Sequence, residues 1–117
     1  MIITISASGP PPTEQIRDQI RGLIATGKLG ADHRLPSVRQ LASDLDVAPG
    51  TVAKAYRALE SEGLVTTRVG SGTRVSRAAA LTSKEVVDAA RALAAAGHDA
   101  ATGLDDAIRV LRAVWEE

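Results

Sequence analysis

The chain of 117 residues has no cysteine and no phenylalanine, and only one tryptophan and one tyrosine. Without cysteine there is no disulfide framework and no thiolate metal site. Without phenylalanine the interior must be built from Leu, Ile, Val and Ala, and so small an aliphatic core favours help from a partner subunit. Long hydrophobic runs are missing too, since none reaches the roughly 18 residues of a membrane span. The opening Met1-Ile2-Ile3-Thr4-Ile5 is apolar but short and has no basic leader. It is not read as a signal peptide, and a cytoplasmic protein is expected. No sign of charge is in excess: 14 Lys and Arg balance 14 Asp and Glu. Zero net charge does not by itself suggest a nucleic-acid partner. The distribution is mildly uneven, with nine basic against seven acidic residues in 1–76 and five against seven in 77–117. Any basic surface must therefore come from local placement of Arg34, Arg39, Lys54, Arg57, Arg68 and Arg74. Nucleophile elbow, phosphate-binding loop and zinc spacing are all absent, and Glu14, Asp18, Asp44 and Asp46 are too scattered for a catalytic pair. An enzyme is not expected, and neither is a cofactor. His33 and His98, far apart in loop-like sequence, read as surface histidines rather than metal ligands.

What is present centres on residues 35–60. Ser37 can cap a short helix, and Gln40 three residues on completes a capping box. Val38, Leu41, Ala42 and Leu45 give that helix one apolar face. A turn is expected at Asp46-Val47-Ala48. Pro49 then suits a first helical position, where its missing N–H would be an orphan anyway. Val52, Ala55, Tyr56 and Leu59 form the buried side of this second helix. Its other side carries Gly50, Thr51, Lys54 and Arg57, which are small, hydroxylic or basic. A helix that buries one side and offers such a face outward suits a DNA major groove.

Around this core the spacing predicts a short strand at 2–5, a break at Ser8-Gly9-Pro10-Pro11-Pro12, and a helix over about 13–26. Ile16, Ile20, Leu23 and Ile24 face inward on that helix, and Gly27 is its left-handed cap. Residues 28–34 read as a loop. Gly63 stops the second helix of the motif. Val65-Thr66-Thr67-Arg68 and Thr73-Arg74-Val75 then flank Val69-Gly70-Ser71-Gly72, a hairpin signal. Such a hairpin is either a wing laid along DNA or a structural cover for the core, and its position after the motif favours the wing. An Ala-rich junction, 76–81, leads to a helix begun at Thr82, with a Glu85 capping box and a Leu81–Val86 staple. Gly97 is expected to end it, and His98–Gly103 forms a loop to a last helix over about 104–116. The penultimate helix shows Val86, Val87, Ala90, Leu93 and Ala94 on one face. The last shows Leu104, Ile108, Leu111, Val114 and Trp115 as a stripe.

The run Arg34-Leu35-Pro36-Ser37-Val38-Arg39-Gln40-Leu41-Ala42, followed by Val47, Thr51-Val52, Ala55-Tyr56, Leu59, Glu62-Gly63-Leu64-Val65 and Gly70-Ser71-Gly72-Thr73, resembles the helix-turn-helix of the GntR family of bacterial transcription regulators. The likeness covers about residues 12–76. The short tail, the Ile-Thr-Ile start and the run 47–56 look like the YtrA subfamily. The resemblance implies a mainly α fold with a small β wing: a winged helix-turn-helix domain over 1–76 and a two-helix dimerisation tail over 77–117. It further implies a homodimer whose tail helices pack across the two-fold axis, and repression of operons for transporters. Two positions depart from the commoner family pattern. Pro49-Gly50 and Ala53 stand where many members place Arg or Asn, so base readout would rest on fewer side chains.

The expected DNA-binding set is Arg34, Ser37, Arg39, Pro49, Gly50, Thr51, Lys54, Arg57, Arg68, Gly70 and Ser71. Lys54 and Arg57, three apart, could reach guanine edges or phosphates, or could simply solvate a helix face. Thr51 can meet a phosphate or a thymine methyl. The N–H groups at Pro49-Gly50-Thr51 offer a phosphate site at a helix N-terminus. Arg39 resembles the family's phosphate-clamping arginine, with an ion pair to Asp44 as the plainer alternative. The expected partners are pseudo-palindromic double-stranded DNA and a second copy of the chain, met through Val87, Leu93, Leu104, Ile108, Leu111, Val114 and Trp115. The tail could instead fold back on its own winged domain. An effector, if one exists, would sit at the dimer interface or between tail and DNA-binding domain. The competing functional reading is a winged-helix protein-interaction module without specific DNA binding.

Overall fold

Ile16, Ile20 and Ile24 recur every four residues, and in a computed structural model of the chain all three are fully buried along one side of α1 (Pro12–Ala25). The structure describes residues 1–77 and 83–117. Pro12 opens α1 at a position that needs no N–H. Its isoleucine stripe packs chiefly on α3 (Pro49–Ser61), which returns Val52, Ala55, Tyr56 and Leu59. Between them α2 (Val38–Leu45) contributes Leu41 and Ala42 to the same core, with Val38 and Leu45 half-buried. β1 (Val65–Arg68) and β2 (Gly72–Val75) form an antiparallel hairpin, with Val65 opposite Val75 and Arg68 opposite Gly72. Val65 and Val75 are buried, so the root of the hairpin closes the core while its tip stands clear. The reading of the hairpin as a cover for the core thus describes its root.

Up to the end of β2, three features differ from the sequence expectation. Residues 2–5 form no strand. Instead Gln19 and Gln15, one turn apart on α1, hold the segment with their side-chain amides. The Thr4 N–H donates to Gln19 Oε1 at 3.1 Å, while Gln19 Nε2 donates to the Thr4 carbonyl at 2.7 Å. Gln15 repeats the pattern on Ser6. Two amides thus take the place of a neighbouring strand, and Ile3 is buried beneath them. Secondly, part of the expected loop 28–34 pairs with β2. The Leu35 N–H donates to the Thr73 carbonyl at 2.8 Å, and the Val75 N–H donates to His33 at 2.9 Å. Thirdly, only half of the first capping box forms. Ser37 Oγ accepts from the Gln40 N–H at 3.1 Å, but the Gln40 amide turns away to Asp44.

The chain forms two compact units, Met1–Leu81 and Thr82–Glu117. The second holds α4 (Lys84–Asp99) and α5 (Leu104–Trp115). The expected Thr82 start and the Leu81–Val86 staple lie outside the described residues. The cap seen is Ser83, whose Oγ accepts from the Val86 N–H. Gly97 does not end α4: the helix runs two residues further, so His98 is helical rather than in a loop. The stop is at Ala101, in the left-handed region with φ +55°. There the Thr102 N–H donates to the Gly97 carbonyl and the Ala101 N–H to His98. These bonds satisfy carbonyls that the helix end leaves open. No residue of α4 or α5 is buried. No described helix is long and apolar enough to cross a membrane.

Candidate nucleic-acid interface

The interface is built from α2, the turn after it, and α3. The turn is made by Asp46, left-handed at φ +55°, with the Val47 N–H returning to the Ala42 carbonyl at 3.0 Å. Asp tolerates this conformation better than most residues. Tyr56 then ties the pair together: its hydroxyl, on α3, donates to the Pro36 carbonyl just before α2 at 2.7 Å. Burial pushes the Tyr56 hydroxyl well above its ordinary pKa, so it stays a donor through the physiological range. A third link, from the Thr13 hydroxyl to the Thr51 carbonyl, fixes the start of α3 against α1.

Held in this way, α3 exposes Gly50, Lys54 and Arg57, which share one side of the helix at spacings of four and three. Arg39 is exposed on the first turn of α2. It does not pair with Asp44, whose carboxylate accepts from Gln40. Lys54, Arg57 and Arg39 make no ion pair within 4 Å among the described residues, so their donors are available to a ligand. Pro49 and Gly50 are open to solvent, while Thr51 is half-buried. Of the three residues expected to offer N–H groups, Pro49 has none and Thr51 donates to the Ala48 carbonyl at 3.0 Å. Gly50 is left as the open donor, with space around its Cα for a close approach.

Ser37 is committed as the cap of α2. Arg57 has a second neighbour: with Val38, Glu60, Thr67 and Thr73 it lines a shallow cleft between α3 and the hairpin. Glu60 accepts from the Thr67 N–H there, which fastens the wing to α3. At the tip, the Ser71 N–H closes a four-residue turn onto the Arg68 carbonyl, and Gly70 takes φ +86°. Val69 is fully exposed at this tip, an apolar residue that sequence reasoning passed over. Arg68 extends from the end of β1 into solvent. Arg34 is placed differently from the other cations. Its guanidinium lies against Gly72, where a β-carbon would come within 3.2 Å of Nε. Asp32, Arg74 and Arg77 were also missed as a group. Asp32 accepts from Arg77 at 2.6 Å, and its carbonyl accepts from Arg74 at 3.1 Å. The signal that could have found them is the pairing of 32–35 with β2, which leaves no periodic trace in so short a segment.

Residues 12–75 match the model of the family described as bacterial regulatory proteins, gntR family. The chain belongs to the gntR family. It is 44% identical over 99 residues to the helix-turn-helix-type transcriptional regulator Rv1152 of Mycobacterium tuberculosis, spanning 80% of this chain and 82% of the relative. It is 43% identical over 75 residues to the transcriptional repressor YtrA of Bacillus subtilis, a match covering 64% of this chain and 58% of YtrA. Among solved structures it is similar to YtrA from Sulfolobus acidocaldarius, with a TM-score of 0.60 and 38% identity over 80% of this chain and 99% of that one. It also resembles the DNA-binding domain of AraR in complex with operator ORX1, with a TM-score of 0.55 and 29% identity over 65% and 92% of the two chains. Within the gntR family the chain is therefore YtrA-like, and its fold is a winged helix followed by a helical tail.

Proposed function

We propose that this chain is a sequence-specific DNA-binding regulator that acts as a homodimer and represses its target operon by occluding a promoter. The observation that carries the reading is the exposed side of α3. Gly50, Lys54 and Arg57 stand on it, the two cations without an ion-pair partner among the described residues, with Arg39 exposed on α2 and the wing tip clear of the core, on a scaffold fixed by Tyr56 and Thr13. Lys54 and Arg57 are suited to guanine edges or phosphates in a major groove. Arg39 and the Gly50 N–H are suited to the backbone on either side. Arg68, Gly70 and Ser71 would follow the neighbouring phosphates or enter the minor groove. The AraR domain bound to its operator supports this use of the fold. The resemblance to YtrA regulators favours transporter genes as the regulated class.

The second copy would be met through the tail. Leu93, Leu104, Ile108, Leu111, Val114 and Trp115 are exposed on α4 and α5, and Val87 is only half covered. A pair of short helices with no buried residue cannot hold itself together by packing.

The test is DNA from upstream of the protein's own gene, titrated at several salt concentrations. Phosphate contacts release counterions, so the logarithm of the affinity should fall linearly with the logarithm of salt, by about 0.9 per phosphate neutralised. Reversing Lys54 and Arg39 together to Glu should abolish the specific footprint and flatten the slope. Unchanged affinity in a folded double variant would overturn the reading. Binding without salt dependence would favour the protein-interaction alternative.

A further inference from the structure

The two faces of the hairpin differ. Thr67 and Thr73 look toward α3, in the cleft with Arg57 and Glu60. The alternate residues Thr66, Arg68, Gly72 and Arg74 look the other way, as the two-residue period of a strand requires. Together with Asp32, Ser71 and Arg77 they line a hollow of about 450 Å³. Its lining carries three guanidinium groups and several hydroxyls against a single carboxylate. That carboxylate, Asp32, is already engaged by Arg77. Arg74 is held by the Asp32 carbonyl, which orients its remaining donors. Arg34 adds a fourth guanidinium at the edge, laid against the Cα of Gly72. In a chain of zero net charge, four arginines at one hollow are a local concentration of positive charge that neither the core nor the proposed α3 interface uses.

We propose that this hollow is a binding site for a phosphate-type dianion, such as a phosphomonoester or a pyrophosphate group. Guanidinium forks match two phosphate oxygens at once, and Arg68 has no ion-pair partner among the described residues. Thr66 and Ser71 add hydroxyl donors to the remaining oxygens. The volume lies in the range of small-molecule sites. Arg68 and Ser71 belong both to this hollow and to the wing edge proposed to follow DNA, so a bound dianion and a backbone phosphate would contend for them. Occupancy by a free phosphorylated ligand would then weaken the grip of the wing. That regulatory consequence rests on the DNA-binding reading, whereas the site itself does not.

The test is calorimetric titration of the full-length protein with inorganic pyrophosphate, in the absence of DNA. Saturable binding is expected for the natural chain and for Arg91→Ala, a tail variant remote in sequence from the hollow. Each charge-assisted bond removed is worth about tenfold in affinity, so Arg68→Ala with Arg77→Ala should weaken binding by at least that factor. Where the double variant fails to fold, side-chain Nε–Hε resonances of the natural protein serve instead, and those of Arg68, Arg74 and Arg77 should move with pyrophosphate. A repeat with saturating duplex DNA tests the contention for Arg68 and Ser71. Weaker pyrophosphate binding with DNA present is expected, because competition is reciprocal, and undiminished binding would overturn the coupling to the wing. No saturable binding, equal binding by the folded double variant, or resonance shifts confined elsewhere would overturn the proposal. The DNA reading fails separately, through Lys54 and Arg39.

Discussion

Ala101 carries a conformation that its side chain resists. Its φ of +55° is the left-handed region, where a β-carbon crowds the neighbouring carbonyl. The same two hydrogen bonds close α3, with Leu64 returning to Leu59 and Gly63 to Glu60, but there glycine occupies the strained position at φ +78°. Gly63 was readable as a stop for that reason. Ala101 was not, since alanine is the strongest helix former, and Gly97, four residues earlier, gave a false stop. Gly97 has a different use: a β-carbon there would meet the Thr102 carbonyl at 3.4 Å, so the turn after α4 folds closely over it. Ala101→Gly should therefore stabilise the tail by about 0.5–1 kcal/mol, the strain relieved less the entropy glycine adds to the unfolded chain. A rise in thermal midpoint at fixed protein concentration would show it, and a fall would mean that the strain is absent.

At the scale of elements, one hydroxyl ties α3 to the residues that lead into α2. Tyr56 is the only tyrosine of the chain, and its bond to Pro36 crosses from α3 to the residues that lead into α2. The apolar periodicity marked Tyr56 as buried but could not name its acceptor, because the contact is set by tertiary geometry rather than by spacing. The same limit hid the Gln15 and Gln19 amides that hold residues 4 and 6, and the pairing of 32–35 with β2. By contrast α1, α2, α3 and the hairpin were readable, since each has a strong apolar period and a marked start or stop. Burial raises the Tyr56 pKa above its unfolded value of roughly 10. The folded state therefore keeps a proton that the unfolded state loses. The stability contributed by this group is fully present below about pH 10 and is lost as pH rises beyond it. Tyr56→Phe should cost about 1 kcal/mol at neutral pH, because the Pro36 carbonyl loses its partner. It should also remove this alkaline decline, so denaturant melts of the two proteins should converge above pH 10. Parallel curves would show that the hydroxyl is not held as described.

For the whole molecule the decisive feature is the mismatch between the two units. Among the described residues the first buries fourteen hydrophobic residues in one core. The second buries none, although Ile108, Leu111, Val114 and Trp115 recur on α5 at helical spacing. An amphipathic stripe of this kind is not kept exposed by a stable protein, because isolated helices of 12 and 16 residues are marginal in water. The groove between α4 and α5, about 280 Å³ and lined by Leu93, Ala94, Ile108 and Leu111, offers a place for apolar side chains from another helix. A second copy supplies such helices in the matching orientation, and two-fold pairing buries the same residues from both sides. In the proposed dimer two copies of α3 would be offered to one duplex, as a palindromic operator requires. Replacing Leu111 and Trp115 together by Asp puts four charges into that interface, two from each chain. The variant should sediment as a monomer while the winged unit keeps its fold. It should also lose most of its affinity for a two-half-site operator but keep its weaker, salt-dependent binding to a single half-site. A variant that still sediments as a dimer would remove the tail from the assembly and leave the tail stripe unexplained.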